Sequence, residues 1–489
     1  MTLRELLAGL TDVAVADTEI TGLALDSRRV QAGDLFVALP GTCTEGHRFI
    51  EAAVAAGAVA VLVDATKLAG LADVAVPCLA LENLKDKLGG IAERFYGSPC
   101  KEMFVVGVTG TNGKTSCSHF IAQALHETTA PAAVIGTLGN GLVDQLETAT
   151  HTTPDAISLH ALLRRLVDTG AKSVAMEVSS HGLEQGRVAG VGFDLALFTN
   201  LSRDHLDYHG DMAAYGRAKA RLFQLPGLKC AVINADDAFG QTLLDALPES
   251  VERVVYSLDD TCRGEDHVCG EIISQGRDGL LLEVRTPWGE GRLHSSLLGR
   301  FNAANLLAVL SVLLLKGMGL ETALERLSRL NTVPGRMERF GGVAKQPLVV
   351  VDYAHTPDAL EQVLVTLREH CGAKLWCVFG CGGDRDAGKR PQMGSIAVRY
   401  ADQIILTDDN PRHEDPAGII KDIAAGIKGG EFMQLPDRAE AIHYAISQAA
   451  ANDVVLVAGK GHEDYQQVGD EKRPFSDSEQ VCRALGVAA

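Results

Sequence analysis

Residues 104–125 read FVVGVTGTNGKTSCSHFIAQAL. An apolar run rich in β-branched residues, a glycine turn carrying Gly-Lys-Thr and an amphipathic continuation spell strand, phosphate loop and helix in that order. Such a loop works because backbone N–H groups converge at a helix N-terminus. There the dipole and a lysine offset the charge of β- and γ-phosphates, and a hydroxyl reaches Mg²⁺. Gly110 and Gly113 supply the turn, Lys114 the cation and Thr115 the hydroxyl, with Thr111, Asn112 and Ser116 completing the ATP-binding stretch. The common spacing, G-x-x-x-x-G-K-[ST], asks for a first glycine at position 108, which is Val108 here. A guanine-reading N-K-x-D motif is missing after the later strands, which weighs against a GTPase.

Outward from this loop, short apolar runs alternate with helical patterns over the whole chain, the signature of α/β layering with mostly parallel sheets. Eight of the runs end in polar clusters. In the middle of the chain they are VTGTNGKT, MEVSSHG, TNLSRDHLDYHG and INADD; later they are VDYAHTPD, GCGGDRD, TDDNPR and AGKGHED. Open parallel sheets bind ligands beyond the carboxyl ends of their strands, so two sheets facing one site are expected. Breaks at RFYGSPCKEM (94–103) and LNTVPGRMERFGG (330–342) divide the chain into segments 1–98, 99–336 and 337–489.

The chain's 489 residues exceed what one core organises. Its 45 Lys and Arg against 63 Asp and Glu give a net charge of −18, which argues against a nucleic-acid partner. The N-terminus lacks a basic region followed by a long apolar run, and LLAVLSVLLLKGMG is too short to span a membrane. The eleven cysteines lack paired zinc spacing and read as reduced thiols of a cytoplasmic protein. Two strand ends carry candidate metal chemistry. Glu177, one residue past an apolar run, is a hard oxygen ligand for Mg²⁺; the D-H-x-D-x-H cluster containing His205 and His209 leaves a transition metal open. Lys219, in YGRAKARLF, reads by itself as a solvated helix lysine.

Together these segments resemble the ATP-dependent Mur ligases of bacterial cell-wall synthesis, whose loop pattern T-G-T-N-G-K-[TS] is what residues 109–115 spell. LDSRRVQAGDLFVALPG, MEVSSHGL, TNLSRDHLDYHG, YGRAKARLF, GRFNAAN, VPGRMER, VDYAHTPDAL, GCGGDRDAGKRP, DDNPR and AGKGHEDYQ extend the resemblance over the whole chain. It implies an N-terminal UDP-binding α/β domain, a central P-loop ATPase-type domain with a parallel sheet and a C-terminal Rossmann-like domain that binds the amino acid. The activity implied is addition of meso-2,6-diaminopimelate to UDP-N-acetylmuramoyl-L-alanyl-D-glutamate with ATP and Mg²⁺, through an acyl phosphate. A substrate carboxylate attacks the γ-phosphate and the incoming amine displaces phosphate. DNPR (409–412) is similar to the branch that takes diaminopimelate instead of L-lysine.

The resemblance assigns catalytic roles to Lys114, Glu177, His205 and Lys219, the last as an N6-carboxylysine formed with CO₂. Thr115, Glu177, His205 and the Lys219 carbamate are the implied metal ligands. Asn302, Arg336 and Asp352 match adenine, phosphate and ribose contacts; His355 lies nearby with no assigned role. Leu25, Ser27, Thr42, Cys43 and Thr44 match contacts to the nucleotide sugar, and Thr152, Thr153, Ser179, Gln185 and Arg187 those to the muramoyl-dipeptide. His151 stands where many relatives carry Asn. The far carboxylate of diaminopimelate calls for a guanidinium fork, for which Arg412 is the candidate, with Arg385 for another carboxylate end. Asp409, Asn410 and Glu463 are candidates to face the ammonium groups, beside Pro411, with Gly459 leaving room for close approach. The rival enzyme is a folylpolyglutamate-synthase-type ligase, against which the DSRRVQAGDLF segment speaks. The rival of another class is a nucleotide-dependent switch whose ATP turnover ignores amino acids. A monomer is expected.

Overall fold

A computed structural model describes residues 1–489 apart from 12–14, 16, 40–44, 68–73, 150, 260–263, 277–278, 344–345 and 488–489. The chain forms two compact units. One holds residues 1–107, 125–194 and 224–229; the other holds 108–124, 195–223 and 230–489. The strand Phe104–Thr109 runs through the division.

The first unit opens with four parallel strands in sequential order, Gly22–Ala24, Asp34–Ala38, Ala60–Asp64 and Cys78–Leu81. Alternation puts Leu35, Val37 and Leu62 on one face, where the helix Leu84–Phe95 covers them with Leu84, Leu88 and Ile91. Phe36, Val61 and Val63 lie on the other face against Ile50 and Ala53 of the helix Ile50–Ala55. Burial on both faces is why these strands read as continuous apolar runs instead of alternating ones. Further along, Ala132–Gly136 pairs in parallel with Ser173–Glu177 and in antiparallel with the hairpin strand Gly139–Leu142.

In the second unit Leu195–Phe198, Cys230–Asn234 and Glu252–Ser257 are parallel. His267–Gly276 extends them, and an antiparallel meander through Gly279–Thr286 and Gly289–Ser295 closes this side. The helix Arg300–Leu315 is buried along nearly its whole length, so LLAVLSVLLL is a core helix. Among the described residues no helix is long and apolar enough to cross a membrane.

A six-stranded sheet follows, in the order Glu338–Gly341, Leu348–Asp352, Val454–Ala458, Leu375–Phe379, Gln403–Leu406 and Met433–Gln434. Its parallel register sets Asp352, Ala458, Phe379 and Leu406 in one row. The loops after those residues are YAHTPD, GKGHED, GCGGDRD and TDDNPR, so every polar cluster of this part of the chain leaves one sheet edge. Two apolar faces hold the sheet. Val350, Leu456 and Phe379 pack toward the helices Pro357–His370 and Arg390–Tyr400; Val351, Val457 and Val378 pack toward Arg438–Gln448 and Asp477–Leu485. Each such side chain contributes about 1.5–3 kcal/mol when fully buried. One expectation fails. Cys269 is disulfide-bonded, whereas eight other cysteines are free thiols. Pairing depends on which side chains the fold sets face to face, and spacing along the chain does not show that.

Candidate active site

The phosphate loop begins where the strand Phe104–Thr109 ends. Val108 is a fully buried strand residue, so no turn glycine is called for at that position. The chain reverses instead at Gly110 (φ +151°) and Gly113 (φ +85°), three residues apart, and the helix Lys114–Leu125 starts at once. A Cβ at Gly110 would collide with the Thr199 hydroxyl. The unusual spacing is therefore a shorter loop on a longer strand.

Residues at the end of Leu195–Phe198 fix this loop. Thr111 N–H donates to Asn200 O at 2.8 Å and Asn112 N–H to Asn200 Oδ1 at 2.9 Å; the Thr199 hydroxyl donates to Asn112 O at 2.6 Å. Lys114 folds back over the turn, its Nζ 3.0 Å from Gly110 O and 2.8 Å from Thr111 O.

Lys219 departs from its reading as a solvated lysine. It is 1% exposed, its Nζ donates to Gly110 O at 2.7 Å, and it lies 4.3 Å from the centre of the Tyr215 ring. Tyr215 also touches the loop, its hydroxyl 3.2 Å from Thr111 Oγ1. Burial, then the nearby Lys114 charge, pushes the Lys219 ammonium well below its usual range; Asp204 opposes the shift. His205 (φ +54°) donates its backbone N–H to Asp204 Oδ1 at 2.9 Å, with Nε2 3.4 Å from Asp204 Oδ2. Burial alone would raise the Asp204 carboxyl, but His355, His205 and Lys389 outweigh it and hold it low.

The same unit brings the C-terminal sheet edge to the loop. Asn112 Nδ2 donates to Asp358 Oδ2 at 2.9 Å, Arg336 to Thr115 Oγ1 at 3.3 Å, and Arg203 meets Asp386 at 3.3 Å. The Arg336 guanidinium lies 4.3 Å over the Tyr353 ring, and Asp352 Oδ2 accepts the Met337 N–H at 2.7 Å. Asn302 is buried and donates to Leu298 O at 2.9 Å; Asn305 donates to Asn302 Oδ1 at 3.2 Å. Asn305 Oδ1 also stands 2.9 Å from where a Cβ on Gly113 would sit, so it lines the loop. Three histidines around Arg336 are held neutral, chiefly by burial: His119 and His355 at about 4 and His462 at about 3.

At the DNPR loop, Arg412 takes a left-handed backbone (φ +51°). Its NH1 donates to Gly383 O at 2.8 Å, and a Cβ on Gly382 would lie 2.8 Å from Arg412 NH1 and 3.8 Å from Arg385 Cγ. The two arginines thus flank one glycine. Pro411 is buried beside them. Gly459 (φ +115°) leaves only 2.6 Å between a notional Cβ and Asp409 Oδ2, a close approach that a side chain would block. Burial would raise the Asp409 carboxyl, yet Lys460 and Arg438 hold it low. Glu463 Oε2 accepts from Asn410 Nδ2 at 2.7 Å and from Lys460 Nζ at 2.9 Å.

In the first unit, Glu177 is 1% exposed and accepts from Thr137 N–H at 2.7 Å and from its hydroxyl at 3.2 Å. Thr152 meets the same Thr137 hydroxyl at 3.1 Å. Thr153 donates to Glu177 O at 2.9 Å, Ser179 N–H donates to Thr153 Oγ1 at 3.1 Å, and Arg187 donates to Thr153 O at 2.8 Å and to Gln185 Oε1. The five residues matched to dipeptide contacts therefore form one cluster with Thr137 and Glu177. Leu25 and Ser27 sit just past the strand Gly22–Ala24, half-buried, and Thr42, Cys43 and Thr44 lie outside the described residues.

Sequence reading missed Thr199, Asn200, Asn305, Asp358, Lys389 and Lys460. Asn200 stands just past the apolar run 195–198, the signal that would have found it; Asp358 and Asn305 act across long chain separations that no local pattern announces.

Sequence models of one family match most of the chain: "Mur ligase family, catalytic domain" over residues 19–96, "Mur ligase middle domain" over 108–313 and "Mur ligase, glutamate ligase domain" over 335–461. The chain belongs to the Mur ligase family. It is therefore an ATP-dependent ligase of the three-domain α/β kind. It is 50% identical over 487 residues, 99% of each chain, to the UDP-N-acetylmuramoyl-L-alanyl-D-glutamate--2,6-diaminopimelate ligase of Coxiella burnetii. It is 52% identical to the protein of that name in Pseudomonas aeruginosa, over 96% of each chain. A solved structure of a ligase of the same name matches with a TM-score of 0.73 at 39% identity, covering 99% of both chains.

Proposed function

We propose that this Mur ligase joins meso-2,6-diaminopimelate to UDP-N-acetylmuramoyl-L-alanyl-D-glutamate in the cytoplasm, acting as a monomer whose domains divide near residues 98 and 336. The observation that carries the reading is the tie between the phosphate loop and the C-terminal sheet edge, Asn112 to Asp358 and Thr115 to Arg336, on the same edge where Arg385 and Arg412 flank Gly382. A nucleotide's terminal phosphate and an arginine-held amino acid then belong to one reaction space.

In this reading Lys114 leaves the carbonyls it now touches and neutralises phosphate charge, while Arg336 and the neighbouring Asp352 and Asn302 seat the rest of ATP. The dipeptide carboxylate attacks the γ-phosphorus, ADP departs, and the amine displaces phosphate from the acyl phosphate. Such a transfer needs positioning and charge neutralisation more than a covalent catalyst. Arg412 takes the far carboxylate and Arg385 another carboxylate end, and Asp409, Asn410 and Glu463 receive ammonium hydrogens. Thr152, Thr153, Ser179, Gln185 and Arg187 seat the muramoyl-dipeptide, and Leu25, Ser27 and Thr42–Thr44 the uridine nucleotide.

Among the described residues no group of three His, Cys, Asp or Glu is arranged to hold a metal. Mg²⁺, the metal the family resemblance implies, keeps several waters and shares substrate phosphates, so it asks few ligands of the protein. The Thr115 hydroxyl and His205 fit such a cation in the second unit; Glu177, held in place by Thr137, is a hard oxygen donor of the kind the metal prefers. When bound, Mg²⁺ offsets phosphate charge. Lys219 fits only as its carbamate, since an ammonium would repel a cation. Burial supports the carbamate because it lowers the ammonium's pKa and so favours the neutral amine, the form that adds CO₂.

The test is ADP release from the purified protein with UDP-muramoyl-dipeptide, with and without diaminopimelate or lysine. Dependence on diaminopimelate supports the proposal. Release indifferent to any amino acid, or supported by lysine alone, overturns it.

A further inference from the structure

Lys460 lies fully buried in the loop after Val454–Ala458, at the centre of the acidic half of the amino-acid site. Its ammonium donates to Asn410 Oδ1 at 3.0 Å and to Glu463 Oε2 at 2.9 Å. Asn410 closes the triangle by donating Nδ2 to the same Glu463 oxygen at 2.7 Å, and the Gln467 N–H holds Asn410 Oδ1 at 2.9 Å. One oxygen of Glu463 is thus fixed by two donors, while Oε1 receives no hydrogen bond among the described residues. The Glu463 side chain keeps 16% of its exposure, so a ligand can reach it. The Tyr465 ring, 5.5 Å from Lys460 Nζ, walls the same side.

Charge counting gives this arrangement a purpose. Asp409 and Glu463 are two carboxylates beside one loop; of the other cations acting on Asp409, Arg438 is already bound to Asp477 at 2.7 Å, and Lys389 acts more weakly. Two such carboxylates without a cation between them would repel. With Lys460 present the three groups carry one net negative charge, which matches one substrate ammonium.

We propose that Lys460 is a positioning residue of the amino-acid site, holding Glu463 Oε2 and Asn410 in place and so aiming Glu463 Oε1 at an ammonium of the incoming amino acid. The inference rests on the proposed function, because it takes these loops to hold a diamino acid. Among the described residues Lys460 makes no hydrogen bond to the nucleotide loop, so its effect is expected on the amino-acid substrate.

The experiment is steady-state kinetics of the full-length protein with diaminopimelate varied and the other substrates saturating. It compares the parent, Lys460→Met, Glu463→Gln and the double variant, with thermal melts of each. The expected result is a KM for diaminopimelate raised about tenfold or more in Lys460→Met, a KM for ATP within about twofold of the parent, and a double variant no worse than the worse single one. An unchanged KM for diaminopimelate, or single effects that multiply in the double variant, would overturn the role. If Lys460→Met melts below the assay temperature, Lys460→Gln, which keeps a donor without the charge, takes its place under the same criteria. A parent that ignores diaminopimelate refutes the proposed function and not the Lys460 role, and the comparison is then run with the amino acid the parent accepts.

Discussion

Replacing Arg412 with alanine separates recognition from folding unusually well. The backbone at 412 is held from both sides, by Arg412 N–H to Gln467 O at 3.1 Å and by Gly469 N–H to Arg412 O at 2.7 Å. Alanine has the same Cβ as arginine and meets the same cost of a left-handed φ, about 1–2 kcal/mol, so that contribution cancels between parent and variant. What disappears is the guanidinium. NH1 is engaged by Gly383 O, which leaves the edge formed by Nε and NH2 to receive a carboxylate in two places. Hydrogen bonds to a charged group are worth about 1.5–3 kcal/mol each. Two at the lower end give about 3 kcal/mol, or roughly a hundredfold at about 1.4 kcal/mol per decade. Arg412→Ala should therefore lower kcat/KM for diaminopimelate about a hundredfold, with KM for UDP-muramoyl-dipeptide near the parent value. Arg412→Lys keeps the charge without the fork and should recover only part of the loss. The assay is coupled ADP release with each substrate varied in turn. Parent-like kinetics for diaminopimelate in Arg412→Ala, or an equal weakening of all three substrates, would refute the reasoning.

Lys219→Ala should nearly abolish turnover, and high bicarbonate should not restore it; unchanged activity would remove the carbamate from the site. Arg438 and Asp477 form a buried pair, both 0% exposed as side chains, and Arg438 also donates to Ala458 O at 2.9 Å, so it ties the strand end that bears Gly459 and Lys460. Asp477→Asn should lower unfolding free energy by about 3–5 kcal/mol in urea titration, the cost of stranding a buried charge; a shift under about 1 kcal/mol would contradict it. His119, His355 and His462 have folded values of about 4, 4 and 3, below the ordinary 6.5. Between those limits the unfolded chain binds protons that the folded chain does not, so stability should be full above about pH 6.5 and fall as pH drops toward 4. A urea midpoint that stays level or rises from pH 7 to pH 5 would count against this burial.

The phosphate loop was legible because its parts lie in chain order: a β-rich run, two glycines, a lysine, a hydroxyl and a helix. Its odd spacing needed coordinates, since only they show that Val108 is still strand and that the turn starts at Gly110. Lys219 misled because lysine is ordinarily a surface residue, yet it lies one helical turn after Tyr215, and the two are buried on the same face of Met212–Ala220. The roles of Asp358 and Arg336 toward the loop join residues more than two hundred positions apart, a matter of how two sheets pack and not of local pattern. Arg385 and Arg412 were singled out through the chemistry of the diaminopimelate that the resemblance implied; that the two flank Gly382 needed coordinates. Lys460 was not singled out. A lysine between two glycines looks like a turn until its partners are seen.

The most direct test of the central claim is isotopic. UDP-muramoyl-dipeptide labelled with ¹⁸O in the glutamate γ-carboxylate is turned over with ATP and diaminopimelate, and the released phosphate is examined by mass spectrometry. Attack of that carboxylate on the γ-phosphorus followed by displacement by the amine predicts phosphate carrying one labelled oxygen. Unlabelled phosphate, released at the same rate with or without diaminopimelate, would contradict the account.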